Sequence, residues 1–296
     1  MLLDMDGKYC MVTGASSGIG REISLALAKS GGHVIMVCRD ASRGKTSFEY
    51  VRRESGNNSG ELFLADLSSQ QQIRELVHAY RAKHNKLHVL VNNAGVIMSR
   101  RALTEDGIEM TFAVNYLAYY MLTILLMDLL KDSAPSRIIN ISSGIHRAIS
   151  MDFSNLQGEK KYNRDTIYAQ SKLADIIFTN ELARRLQGTG VTANCVCPGA
   201  VSSNIWAHSS KVVNTFFRIL MKGPKEGAKI PVYLASSAEV AGLSGKYFQT
   251  RQHLKLSRVE TQRSMCESSA ETYNRDTAQR LWTISGALTG ITGETW

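Results

Sequence analysis

Tyr9-Cys10-Met11-Val12-Thr13-Gly14-Ala15-Ser16-Ser17-Gly18-Ile19-Gly20 runs from an apolar, β-like stretch straight into a glycine-rich turn, and the residues that follow read as a helix to about Lys29. Glycines there allow tight turning and close approach of the backbone to a ligand. The helix start offers unpaired N–H groups and a positive dipole to a pyrophosphate. Strand, loop and helix come in the order that dinucleotide binding requires, which a lone glycine-rich turn does not supply. Gly14, Ser16, Ser17, Gly18, Ile19 and Gly20 are the candidate cradle.

Working outward, β-like runs alternate with helical stretches along the chain: Tyr9 to Thr13, His33 to Val37, Glu61 to Leu64, Val89 to Asn92, Arg137 to Ile141, Thr192 to Val196 and Lys246 to Phe248. That alternation predicts an α/β fold, a doubly wound parallel sheet of about seven strands with helices on both faces. The four prolines are dispersed and no linker or repeat interrupts the pattern. Residues 1–296 therefore read as one Rossmann-type domain, closed by a C-terminal helix over 270–290, with ligands beyond the carboxyl ends of the strands.

Composition narrows the partners. With 44% hydrophobic and 21% charged residues the chain is globular. Its net charge of +9 suits a polyanionic cofactor, an acidic membrane surface or nucleic acid, and discriminates poorly among them. Lys and Arg are scattered, and nucleic acid is not expected. Cys10, Cys38, Cys195, Cys197 and Cys266 lack metal or disulfide spacing, and the seven histidines show no ligand spacing with acids or cysteines, so no metal is expected. The apolar run Leu117 to Met127 is shorter than the ~20 residues a membrane span needs. A soluble protein of a reducing compartment is the expectation.

The end of the second β-run bears on the cofactor. Cys38 stands where a carboxylate for a ribose 2′-hydroxyl is common, and Arg39 follows it. A guanidinium can stack on adenine and fork onto a 2′-phosphate, which favours NADP(H) over NAD. The alternative is a solvated Arg39 with Asp40 at the ribose. Further along, Tyr168 and Lys172 are four residues apart in a helical segment and share one face. A free phenol titrates near ~10, and a neighbouring cation favours phenolate, so the pair can become an acid/base at neutral pH.

With that pair and the glycine loop in one α/β chain, the sequence resembles the short-chain dehydrogenase/reductase family over essentially its whole length. Asn92-Asn93-Ala94-Gly95 resembles the family's fourth-strand motif, implying cofactor contacts at Asn93, Ala94 and Gly95. Asp66-Leu67 resembles its adenine contact, and Pro198-Gly199 with Val201 and Ser203 its nicotinamide loop. Asn115 resembles the helical asparagine that anchors a water to the catalytic lysine. In Asn140-Ile141-Ser142-Ser143-Gly144, the second serine, Ser143, matches the catalytic one. Leu156 to Tyr162, Ser171-Lys172-Leu173-Ala174, Glu181 to Leu186 and Ala278-Gln279-Arg280-Leu281-Trp282 resemble retinol dehydrogenase-like members.

The resemblance implies an NADP(H)-dependent alcohol dehydrogenase or carbonyl reductase acting on retinoids, steroids or lipid aldehydes and ketones. Tyr168 would relay the proton, Ser143 would hold the substrate oxygen, Lys172 would grip the ribose and lower the Tyr168 pKa, and Asn115 would serve proton supply. His146 is a candidate substrate contact or a loop residue. Residues 202–222 suggest a substrate lid or a helix meeting lipid, with an ordinary core-facing helix as the alternative. The expected location is the cytoplasm, or the cytosolic face of a membrane where an anchor has been trimmed away. Phe112 to Leu130 is a candidate homodimer face. A catalytically silent nucleotide-binding scaffold is the competing class, but binding alone does not need Tyr168.

Overall fold

The computed structural model describes residues 4–199, 223–251 and 262–291. Eight strands form one sheet: β1 (Tyr9–Thr13), β2 (His33–Cys38), β3 (Glu61–Leu64), β4 (Val89–Asn92), β5 (Ser136–Ile141), β6 (Val191–Cys197), β7 (Tyr247–Arg251) and β8 (Gln262–Cys266). Their order is β3-β2-β1-β4-β5-β6-β7-β8. The first seven are parallel and β8 pairs antiparallel with β7. The sheet thus carries one strand more than the seven expected, at its edge.

The helices are α1 (Gly18–Lys29), α2 (Ala41–Ser55), α3 (Gln70–Lys83), α4 (Met110–Phe112), α5 (Ala118–Leu125), α6 (Met127–Asp132), α7 (Arg164–Arg185), α8 (Pro224–Ser236) and α9 (Arg275–Thr289). Between α4 and α5 the chain makes a π-helical turn, Ala113–Leu117. Strand residues alternate between two apolar layers, as the pleat requires. Ile35, Met11, Leu90, Ile138 and Ala193 lie in one register row across β2, β1, β4, β5 and β6, and all join the core that also holds α3, α5, α7 and α9 side chains. Met36, Val12, Val91 and Ile139 form the next row and face the opposite core, with α1 and α8.

Winding reverses between β1 and β4, so their carboxyl ends flank a crevice where no crossover helix covers the sheet. The glycine loop leaves β1 at that crevice and Asn93-Ala94-Gly95 leaves β4 there. Thr13 ties the two together: its hydroxyl accepts from Asn93 N–H at 2.9 Å and Ala94 N–H at 3.0 Å. Residues 200–222 lie outside the described residues, and with them Val201, Ser203 and the expected lid.

Among the described residues no helix is long and apolar enough to cross a membrane. The apolar helix expected as a dimer face is buried within the chain. Every residue from Ala118 to Ile124 is buried, the Tyr116 hydroxyl meets Ser285 Oγ at 2.6 Å, and the Tyr120 hydroxyl donates to Ile291 O at 2.8 Å.

Candidate functional site

The glycine loop is built for close approach. A Cβ on Gly20 would lie 2.5 Å from both Gly14 O and Asn93 Nδ2, and one on Gly14 would lie 2.8 Å from Ala94 Cα. Gly14 also has φ +66, in the left-handed region. Ser17 precedes α1, but its Oγ accepts from Arg43 Nη2 at 3.3 Å and does not cap the helix. The first-turn N–H groups of α1 are thereby left toward the crevice, where an anion suits both their hydrogen-bonding capacity and the dipole. The residues present fit a dinucleotide pyrophosphate.

At the end of β2, Asp40 accepts from Arg43 N–H at 2.8 Å and caps α2. That bond engages one oxygen, Oδ1, of the carboxylate considered as a ribose partner. Arg39 is exposed, and Arg43, which the sequence reading did not single out, adds a second guanidinium beside Ser17. Arg21 instead pairs with Glu22 at 3.2 Å and lies over the Tyr50 ring. The Asp66 carboxylate accepts from the Ser68 N–H and hydroxyl, while the Leu67 side chain is buried in the core. Pro198 and Gly199 follow β6 at the crevice end of the sheet.

Helix α7 carries Tyr168 and Lys172. Asn163 caps it, accepting from the N–H groups of Asp165 and Thr166 at 3.0 Å each, and Glu181 pairs with Arg184 and Arg185 in its last turns. Every residue from Ile167 to Thr179 is buried, so α7 lies inside the molecule and brings its polar residues with it. Tyr168 hydrogen-bonds Ser143, which is half-buried just past β5. Ser142 points elsewhere and donates to Lys172 O at 2.7 Å. Only the second serine of the pair meets the phenol.

Lys172 Nζ donates to Ile141 O at 2.9 Å and to Asp175 Oδ2 at 2.8 Å, and stands 5.2 Å from the Tyr119 ring centroid. Burial is the largest single influence and works against its charge, but Asp175, Tyr119 and Tyr168 together hold the ammonium's pKa above the ordinary lysine value. Asp175 is fully buried, and among the described residues its Oδ1 has no hydrogen-bond partner. Burial pushes its carboxyl up to about 7 although Lys172 pulls the other way. The sequence reading missed Asp175, because an acid three residues after a lysine on a helix looks like a surface pair.

Lys172 pulls the Tyr168 pKa down in the expected direction, but the net shift is upward. Burial is the largest influence and raises the phenol above its ordinary value; Lys172 and Ser143 lower it, and Cys197 and Asp175 raise it. The buried side chain is therefore a protonated phenol at neutral pH.

Asn115 sits in the π-turn, fully buried. Its Oδ1 accepts from Val96 N–H at 2.8 Å, and Nδ2 donates to Val96 O and to Ser171 Oγ, both at 3.1 Å. Ser171 in turn donates to Tyr168 O at 2.7 Å. Asn115 therefore reaches the turn of α7 that carries Tyr168 and Lys172 through Ser171. His146 is not a solvent-facing residue. It is fully buried, with Nδ1 2.7 Å from Ser143 O and Nε2 2.9 Å from Ser268 Oγ. Burial lowers its pKa, so the ring is neutral, with the proton on Nδ1 facing the carbonyl. It steadies the Ser143 loop, as does Cys197, whose Sγ accepts from Gly144 N–H at 3.1 Å.

Comparison with known proteins agrees with this arrangement. The family profile described as short chain dehydrogenase matches residues 8–214. The chain is 39% identical to retinol dehydrogenase 12 of Mus musculus over 294 residues, covering 99% of this chain and 89% of that protein. It is 40% identical to retinol dehydrogenase 11 of Homo sapiens over 291 residues, covering 98% and 88%. Among solved structures, an uncharacterised protein from Mycobacterium paratuberculosis aligns with a TM-score of 0.78 at 26% identity, covering 98% of this chain and 96% of that one. A glycine cradle at the switch point, a tyrosine and lysine on one buried helix and these full-length similarities lead to one conclusion: the chain belongs to the short-chain dehydrogenase family of nicotinamide-dependent oxidoreductases.

Proposed function

We propose that the protein is an NADP(H)-dependent oxidoreductase that interconverts apolar alcohols and carbonyls, of the retinoid, steroid or lipid aldehyde and ketone class, with Tyr168 as general acid/base. The observation that carries this reading is the buried Tyr168 phenol hydrogen-bonded to Ser143 with the Lys172 ammonium behind it. NADPH, when bound, supplies the hydride that reaches the carbonyl carbon. Tyr168 gives its proton to the developing alkoxide, and Ser143 donates a hydrogen bond to the same oxygen. Lys172 holds the ribose and stabilises the phenolate left behind, while Asn115 fixes the turn of α7 that carries both. A protonated phenol suits the reductive direction.

The preference for NADPH rests on Arg39 and Arg43 at the rim of the crevice, and on Asp40 serving as a helix cap. The substrate class rests on the named activities of the retinol dehydrogenase relatives. Steady-state turnover of retinal, steroid ketones and aliphatic aldehydes with NADPH and NADH tests both. NADPH-dependent reduction is expected, with a loss of about 10²–10⁴-fold in kcat for Tyr168→Phe and retained NADPH binding. Nucleotide binding with no turnover of any of these substrates would sink the enzyme reading, and equal affinity for the two nucleotides would overturn the cofactor assignment.

A further inference from the structure

At the end of the sheet opposite the crevice, the first residues of neighbouring strands converge with the end of a helix. His33 opens β2, Glu61 opens β3, and His84 follows α3 as its C-cap. His33 Nε2 lies 3.1 Å from Glu61 Oε1, and His84 Nε2 lies 2.7 Å from the same oxygen. One donor atom from each of the three residues falls within 4.8 Å of the other two. No local spacing announces the group, since its members are separated by 28 and 23 residues in sequence. The β3-β2-β1 order brings them together.

We propose that His33, Glu61 and His84 form a three-ligand site for Zn²⁺, with water completing the tetrahedron. A tetrahedral zinc with bonds of about 2.0–2.1 Å holds its ligand atoms about 3.3 Å apart, so seating the ion needs only a small spreading of the contacts now at 2.7 and 3.1 Å. Two imidazole nitrogens with one carboxylate oxygen are a donor set that zinc accepts. His84 is a second pointer. Its side chain is 10% exposed, and among the described residues Nε2, aimed at the cluster, makes no aligned hydrogen bond despite its closeness to Oε1. In its deprotonated form that nitrogen would be a metal ligand. The rings are held in place by neighbours: Tyr9 stands 4.6 Å from His33 and 5.2 Å from His84, and Tyr80 4.9 Å from His84, between ring centroids.

Lys83 Nζ donates to the other carboxylate oxygen, Oε2, at 3.1 Å, leaving Oε1 as a monodentate ligand. The site lies across the sheet from the Tyr168 crevice, so its zinc would staple β2, β3 and α3 and would take no part in hydride transfer.

The test is titration of the untagged, chelator-treated full-length protein with Zn²⁺ alone by calorimetry, with Co²⁺ as a spectroscopic probe. Expected are one ion per chain, visible bands of four-coordinate cobalt, and a rise in the unfolding midpoint with zinc concentration. Glu61→Gln and His84→Gln should each weaken binding by about tenfold or more. Their far-UV spectra in chelator show whether each variant is folded, and His33→Asn serves if one is not. Absence of saturable binding, or saturable binding that folded variants leave unchanged, would overturn the proposal; the latter places the ion elsewhere.

Discussion

Tyr168 and Lys172 stand one helical turn apart on α7, and in that dry setting neither keeps its solution chemistry. Burial raises the phenol, and the Lys172 charge beside it limits the rise. Asp175 complicates the balance, since its carboxylate steadies the ammonium at 2.8 Å while its own negative charge disfavours phenolate. A pH prediction follows for the proposed reductive reaction. Tyr168 must carry a proton to donate one, so kcat/KM for reduction falls as pH rises through the Tyr168 pKa. Asp175 raises that pKa, hence Asp175→Asn removes a raising influence and moves the alkaline limb to lower pH. In the variant Lys172 keeps its hydrogen bond to the Ile141 carbonyl, and the predicted direction holds while its ammonium stays charged. The check is a pH profile of carbonyl reduction by both proteins, and an alkaline limb that stays put or moves upward contradicts the role assigned to Asp175.

At the scale of elements, the β1–loop–α1 unit has the least room for change. Gly20 sits where an added Cβ meets backbone on one side and the Asn93 amide, which bonds Thr13 O at 2.8 Å, on the other. Gly20→Ala must therefore push the loop off Asn93, and NADPH binding is expected to weaken at least about tenfold, or ~1.4 kcal/mol, measured by fluorescence titration. This unit was legible in the sequence because local rules specify it: an apolar run, glycines, then helix. β1, β2, β4, β5 and β6 were legible for a related reason, since strands buried on both faces read as continuous apolar runs. β8 was not, because Gln262-Arg263-Ser264 carries no apolar pattern and its pairing depends on β7. Ser143, Asn115, Tyr168 and Lys172 could be picked from motif and spacing, whereas Asp175 and His146 matter through burial, which spacing along one helix or loop does not report. His33, Glu61 and His84 meet only once the strand order is known.

Over the whole molecule, the two apolar layers are covered differently, and this sets how the site is held. The layer behind α7 is closed by α9, the last described helix, whose Trp282 ring lies 5.3 Å from Tyr120, 5.8 Å from Phe178 and 4.1 Å from the Arg185 guanidinium. Tyr116 and Tyr120 hydrogen-bond to Ser285 and Ile291 at the same seam. Thus α9 covers the apolar surface of α5 and α7 that would otherwise need another chain, and it presses α7, with Tyr168 and Lys172, toward the sheet. Trp282 is 5% exposed, so Trp282→Ala leaves a cavity between three helices. The expected cost is about 3–5 kcal/mol of stability. Urea unfolding followed by circular dichroism measures it, and a loss below ~1 kcal/mol would mean that the seam closes around the gap, with α9 contributing little to holding α7 in place.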